Sequence, residues 1–429
     1  MLIGIHARND YTFTPADYEL VRVANIEAIK VLSLTPPRVL EPILAERPGT
    51  KVLVRLWTDQ FGVGVRPTPQ EFVERVAPAI QAYKELTCDF EIPNEPNHFQ
   101  GIEGWGPTPE DAQAFKEWYL AVLRELRNRF PWARFGFPGL APGSIHNDMV
   151  WLDVCKEAIA ESDWLGCHCY WQYDNYLDLW WGLRFRLYHE LFPDKPIEIT
   201  EFGDSSPDLS DLLMSYRYVR YYVKARKYSY VRGAYAFIAS SPDPTWHPFS
   251  WIRPDGSMRP VAEAVGQIKR PPKVEIEDIS HRLPRGGQYQ WRDVDEIEYL
   301  VIHHSASPPS TTVEQIARYH VHGRGWPGIG YHFVIDPQGK IYRVNSEENI
   351  SFHAGEKNAN ALGICLIGNF SEAEPPAAQL NSLCKLIHYL RIVYEIPRAR
   401  IVGHRELART ICPGPWWEKF NPSLKIWEW

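Results

Sequence analysis

Two sets of residues in this 429-residue chain have the types and spacing for hydrolytic chemistry. The first lies toward the C-terminus. VIHHSAS (301–307) ends an apolar run in histidine, and GHRELARTICPG (403–414) sets His404 eight residues ahead of Cys412. GYHF (330–333) and FHAG (352–355) add further histidines, and eight of the chain's fifteen occur from His303 onward. A zinc centre that activates water needs three such donors and one open position. A lone histidine at a strand end is ordinarily a hydrogen-bonded side chain, so the recurrence across segments is what points to a metal. The second set is EIPNEPN (91–97) and EITEFG (198–203), each placing a glutamate at the end of an apolar run. Two carboxyls about 5–5.5 Å apart cleave a glycosidic bond with retention, one as acid/base and one as nucleophile.

The elements that would position these groups fall into two rhythms. Over residues 1–270, apolar runs at 2–7, 29–34, 51–57, 88–93, 133–139, 164–171, 196–202 and 233–239 alternate with helical patterns such as 69–86 and 109–130. Eight strands alternating with helices match a (β/α)8 TIM barrel in count and length. A doubly wound sheet would show a Gly-rich turn after its first strand, where this chain has His6-Ala7-Arg8-Asn9. In a barrel the functional residues sit at the C-terminal strand ends. Those ends read His6, Arg55 and Trp57, Asn94 and Glu95, His168 and Tyr170, and Glu201, with Trp246 beyond the last strand. Glu95 and Glu201 then face one another across the mouth.

IKRPPK (268–273) is a basic, proline-containing boundary, and 277–293 is irregular. Beyond it the sequence predicts a strand at 298–305, a helix near 312–322, a hairpin at 330–344 turning at Pro337-Gln338-Gly339, a strand at 362–368 and a helix at 377–395. The expected architecture is α/β: a TIM barrel over 1–270, a linker over 271–292, and over 293–429 a smaller α/β domain with a central mixed sheet.

Composition narrows the partners. Against 46 Lys and Arg stand 53 Asp and Glu, a net charge of −7, which argues against nucleic acid because phosphate binding needs a basic face. No run approaches the roughly 20 apolar residues of a membrane span. The start, MLIGIHARND, lacks the basic and apolar regions of a secretory signal, so the chain is expected to stay cytoplasmic until released; a monomer is expected. Seven cysteines are few and odd in number, which disfavours a disulfide framework. Cys167 and Cys169 fall on one strand face and read as small buried residues.

Residues 290–417 or so resemble the zinc-dependent N-acetylmuramoyl-L-alanine amidases, the family of phage amidase lysins and peptidoglycan recognition proteins. IHHSAS, HVHGRGWPGIGYHFVI, FHAG, NALGICLIGN and VGHRELARTICPG occur in family order. The resemblance implies one Zn2+ held by His303, His404 and Cys412, with Tyr331 beside the attacking water. Thr410 takes a place where some members carry a catalytic lysine. His320 and His353 match cleft-lining histidines, whereas His304 and His332 are expected to be structural. In the barrel, Asn94-Glu95-Pro96 and Thr200-Glu201-Phe202-Gly203 resemble the acid/base and nucleophile signatures of clan A glycoside hydrolases. That resemblance makes Glu95 the proton donor, Glu201 the nucleophile and Asn94 the partner of the sugar 2-substituent. Tyr170 or His168 would orient Glu201, His6 and Arg55 would line the mouth, and Trp57, Trp105 and Trp246 would floor sugar subsites.

One polymer, peptidoglycan, offers both bonds. The combination implies a bifunctional wall hydrolase, an endolysin or autolysin. The alternatives are a peptidoglycan-binding protein with a non-catalytic barrel, or a glycosidase for another glycan targeted by the amidase domain.

Overall fold

The computed structural model describes residues 1–207 and 209–423. It divides into two compact units, one of Met1–Arg226 with Tyr230–Ile268 and the other of Lys227–Ser229 with Lys269–Trp429. In the first, eight parallel strands close a barrel: β1 (Leu2–His6), β2 (Ala28–Leu32), β3 (Lys51–Arg55), β4 (Asp89–Glu91), β5 (Arg134–Phe137), β6 (Trp164–Trp171), β7 (Ile197–Asp204) and β8 (Val231–Ala236). The closing pair is β1 with β8, Leu2 opposite Gly233. Each expected strand is present, and the helices between them begin with strong local signals. Thr14, Thr68 and Thr108 each cap a helix whose third residue, Asp17, Glu71 or Asp111, bonds back to the cap, with proline at the helix start. Such a cap contributes about 1 kcal/mol.

Regular alternation fails at one place that matters. Between β6 and β7, Cys167 pairs with Ile199 but His168 pairs with Glu201, so Thr200 is an extra residue in β7. A bulge bends its strand and re-aims the next side chain, and here that side chain is Glu201.

The second unit holds a six-stranded sheet. Its strands are β9 (Ile276–Asp278), β11 (Tyr299–His304), β12 (Phe333–Ile335), β13 (Ile341–Arg343), β15 (Ala361–Leu366) and β16 (Ile401–Gly403), in the order β16-β11-β15-β12-β13-β9. The hairpin β12–β13 is antiparallel and the other pairs are parallel. A separate antiparallel pair joins β10 (Gln290–Trp291) to β14 (Asn349–Ile350).

The segment 271–292, read from sequence as a linker, carries β9 and β10 and adds Ile279 and Leu283 to a buried cluster with Val313, Ile316, Val334 and Cys365. Its last residue, Arg292, is 1% exposed. The Arg292 guanidinium donates to the carbonyls of Glu347, Asn358, Ala359 and Ala361. Proline and charge at 268–273 obscured these short strands, whose partners lie some 65 residues downstream.

Candidate functional sites

Sheet register assembles the C-terminal site. β11 and β16 run in parallel with Ile302 opposite Gly403, so the next residues, His303 and His404, leave neighbouring strands side by side. Their rings lie 4.6 Å apart between centroids. Cys412 returns on the loop after β16, where Arg405 N–H donates to the Cys412 carbonyl at 2.8 Å. Ligand atoms of His303, His404 and Cys412 all fall within 4.8 Å of one another. The turn carrying His404 is anchored by Glu406, which accepts from Gly403 N–H at 2.7 Å and from the buried Trp417 indole at 2.6 Å.

The donor chemistry suits a soft divalent cation. Burial, with the neighbouring histidines, drives His303 well below its ordinary pKa, and burial lowers His404. Both imidazoles are therefore neutral near pH 7, as ligands must be. Burial pushes the Cys412 thiol up to about 11, so a cation beside Sγ is what would turn it into a thiolate. His304 N–H already points at that sulfur, at 3.4 Å.

The remaining histidines pack around this set. His353 is 7% exposed and lies directly against His303. Its Nδ1 is 3.0 Å from Nε2 of His303, and its own Nε2 is 3.4 Å from the Ala361 carbonyl. Gly363 makes this possible, because a Cβ there would stand 2.7 Å from the His353 ring. His320 also lies inside, accepting from Gly330 N–H at 3.1 Å with its ring against Trp326 and Tyr331. His304 Nδ1 accepts from Phe370 N–H, and His332 bonds Gly363 and Arg292.

Tyr331 packs 5.3 Å from the His303 ring and against the buried cluster that holds Cys365, the register partner of His303. Cys365 is a neighbour that sequence reading did not single out. Thr410 Oγ1 accepts from Cys412 N–H at 3.2 Å, so this hydroxyl shapes the ligand loop.

In the barrel, Glu95, His168 and Glu201 bring their ligand-type atoms within 4.8 Å of one another. The two carboxylates thus approach closely, with His168 between them. The orienting roles separate cleanly. Tyr170 hydroxyl donates to Glu201 at 2.8 Å, while His168 Nδ1 bonds Glu95 at 2.7 Å and stays 3.8 Å from Glu201. Glu95 sits in the left-handed region, φ 35°, its N–H donating to the Gly139 carbonyl at 3.0 Å. Gly139 in turn leaves room for the His168 ring, which a Cβ would approach to 2.2 Å. Asn97, fully buried, clamps the EIPNEPN turn through three bonds to Ala141 and His146.

Below the mouth, Lys30 is wholly buried between Glu91, at 2.8 Å, and Glu201, at 3.1 Å. Burial disfavours charge on Glu201, but Lys30, His168 and His6 outweigh it and hold the carboxyl well below the usual carboxylate range. The same burial acts on His168, where Glu201 and Glu95 prevail and raise its pKa. Lys30 and Glu91 went unnoticed in sequence, although a lysine interrupting IKVLSL was a visible signal. Burial, reinforced by Lys30, lowers His6 to about 4. Among the described residues, His6 Nε2 and Asn94 Oδ1 are buried and have no hydrogen-bond partner. Arg55 pairs with Glu103 at 2.5 Å. Trp57 is half-buried, and Trp246, also half-buried, stands edge-on to Phe237 at 5.2 Å. Trp105 does not floor a subsite: it is 2% exposed inside a cluster with Phe61, Phe115 and Trp118.

A mixed sheet whose neighbouring strands β11 and β16 end in His303 and His404, with Cys412 on the loop that follows, is the framework of the C-terminal unit. The model of the N-acetylmuramoyl-L-alanine amidase family matches residues 293–415, and the chain belongs to that family through this region. It is 32% identical over 141 residues to the endolysin of Escherichia phage T7, covering 30% of this chain and 91% of that protein. It is 30% identical to peptidoglycan recognition protein 1 of Bos indicus, covering 28% of this chain and 67% of that one. With the N-acetylmuramoyl-L-alanine amidase of Sus scrofa it shares 29% identity over 30% of this chain but only 24% of the relative's length. Among the described residues, no helix is long and apolar enough to cross a membrane.

Proposed function

We propose that the chain is a bifunctional peptidoglycan hydrolase, cutting the MurNAc–L-Ala amide with the C-terminal unit and the glycan strand with the barrel. The observation that carries the reading is the coexistence of two hydrolytic constellations, His303/His404/Cys412 and Glu95/Glu201, in one chain. In the C-terminal unit His303, His404 and Cys412 would hold zinc. When bound there, zinc supplies Lewis acidity, polarising the scissile carbonyl and acidifying the attacking water. His353 keeps His303 in one tautomer by bonding its Nε2, so that Nδ1 faces Cys412, 3.7 Å away. Tyr331 offers a hydroxyl where negative charge develops on the substrate.

In the barrel, Glu201 attacks the anomeric carbon while Glu95 protonates the departing oxygen, and a water deprotonated by Glu95 then releases the sugar. Lys30 and Tyr170 keep Glu201 ionised and aimed, and Asn94 Oδ1 is available to the 2-substituent. This chemistry suits an endolysin or autolysin that meets its substrate at the cell wall. Purified walls treated with the protein should lose turbidity while releasing both reducing ends and free amino termini. Binding without release of either would support a recognition protein, and amino termini alone would leave the barrel as a scaffold.

A further inference from the structure

A cleft of about 960 Å³ opens beside Glu95, built from the turns after β4, β5 and β6. It is lined by Glu95 and Tyr170, whereas Glu201, Lys30 and Arg55 are not among its walls. The acid/base of a retaining pair protonates the leaving oxygen, so a cavity reaching Glu95 without Glu201 is on the leaving-group side. Its outer wall holds two large rings in water: Trp180 is 57% and Trp181 39% exposed. These rings are held in place from below. Arg184 lies under the Trp180 ring at 5.7 Å, donates to the Trp180 carbonyl at 2.6 Å, and forks onto Asp148 at 2.5 and 2.7 Å. Tyr188 hydroxyl bonds the same carboxylate at 3.1 Å. Gly182 closes the loop so tightly that a Cβ would meet the Tyr176 carbonyl oxygen at 2.0 Å. A rigid aromatic face beside a proton donor is a stacking platform for the apolar face of a sugar ring.

Charge decides which sugar. Besides Glu95 and Tyr170, the titratable groups lining the cleft are His98, His146 and the Asp148–Arg184 pair, so the one lysine or arginine in its wall is already held by a carboxylate. The barrel cations Lys30 and Arg55 lie outside this wall, Lys30 against Glu91 and Glu201 and Arg55 against Glu103. In a peptidoglycan strand the lactyl group, as free acid or bearing an acidic stem peptide, belongs to MurNAc, and GlcNAc is uncharged.

Resting on the glycosidase reading above, we propose that the Trp180/Trp181 cleft binds an uncharged GlcNAc as leaving group, with MurNAc on the Glu201 side, so that the barrel cuts the MurNAc–GlcNAc bond as a muramidase. The test digests purified walls with the full chain, reduces the new ends with borohydride and hydrolyses the product. Muramicitol is expected, and glucosaminitol would overturn the assignment. Release of amino termini with neither alcohol would sink the glycosidase reading itself. In parallel, a Trp180→Ala/Trp181→Ala chain should lose at least tenfold in kcat/KM on stem-free glycan strands. Trp180→Phe/Trp181→Phe, which keeps flat rings, should stay within threefold of the parent. Equal rates in the alanine and parent chains, or equal losses in the alanine and phenylalanine chains, would remove the platform while leaving the glycosidase in place.

Discussion

His353 stands edge-on to His303, the two rings at 87° with Nδ1 of one 3.0 Å from Nε2 of the other. Behind it the Ala361 carbonyl, tied to Arg292, completes a chain from backbone to candidate ligand. Partners of this kind fix the tautomer of a metal-binding histidine and typically account for 10–100-fold in affinity. Replacing His353 with Ala should therefore weaken zinc retention by that order in a chelator competition.

Cys412 sets the proton balance of metal binding. Its thiol is held near 11 by burial while both histidines are already neutral. Between pH 7 and 8 one proton must leave for each zinc bound, so log K should rise by about one per pH unit. Competition titrations at two pH values measure the slope, and a flat response would show that the thiol does not ligate. The parent should carry about one zinc per chain, and Cys412→Ala should lose it.

Tyr331 is the phenol nearest the histidine ligands, and Thr410 Oγ1 already accepts from Cys412 N–H. Loss of one oxyanion donor typically costs 10²–10³ in kcat. Tyr331→Phe should slow amide hydrolysis by that order with zinc content intact. Near-parental turnover would reduce Tyr331 to a packing residue.

Lys30 ties the proposed nucleophile Glu201 to the stability of the barrel. Glu201 and Glu91 both have folded pKa values below their unfolded ones, burial being outweighed chiefly by Lys30. Such groups stabilise the fold above the ordinary carboxylate pKa of about 4.3, and that contribution is lost as pH falls through the folded values. The barrel's melting temperature should thus decline in acid. Lys30→Met leaves two carboxylates buried without their cation, at a cost of about 3–5 kcal/mol. Any folded enzyme should show the acid limb of its glycan-cleavage profile moved to higher pH. Glu95→Gln and Glu201→Gln should instead abolish glycan cleavage and spare the amidase.

The boundary between units predicts how the chain can be divided. A fragment starting at 293 lacks β9, Ile279, Leu283 and Arg292, and each buried aliphatic alone contributes about 1.5–3 kcal/mol. It should melt far below a fragment starting at 269, as calorimetry would show. Equal melting temperatures would make 271–292 dispensable.

Much of this architecture is legible in the order of residues. Eight apolar runs separated by helical patterns announce the barrel, because backbone pairing and burial act on short stretches that composition reveals. The segment order of IHHSAS through TICPG likewise identifies the family, and the two glutamate motifs name the carboxyls. What the linear order leaves open depends on contacts between distant segments. Which partner each histidine meets is set by the face a turn presents, as when His353 meets His303 and His320 meets Gly330. Trp105 is claimed by packing against Phe115 and Trp118. Lys30 acquires its meaning only when closure of the barrel brings Glu201, 171 positions away, to 3.1 Å. Likewise 271–292 becomes part of the second sheet only because β13 offers β9 an edge. Local patterns specify elements, whereas charge pairing, tautomers and subsites arise where the chain meets itself.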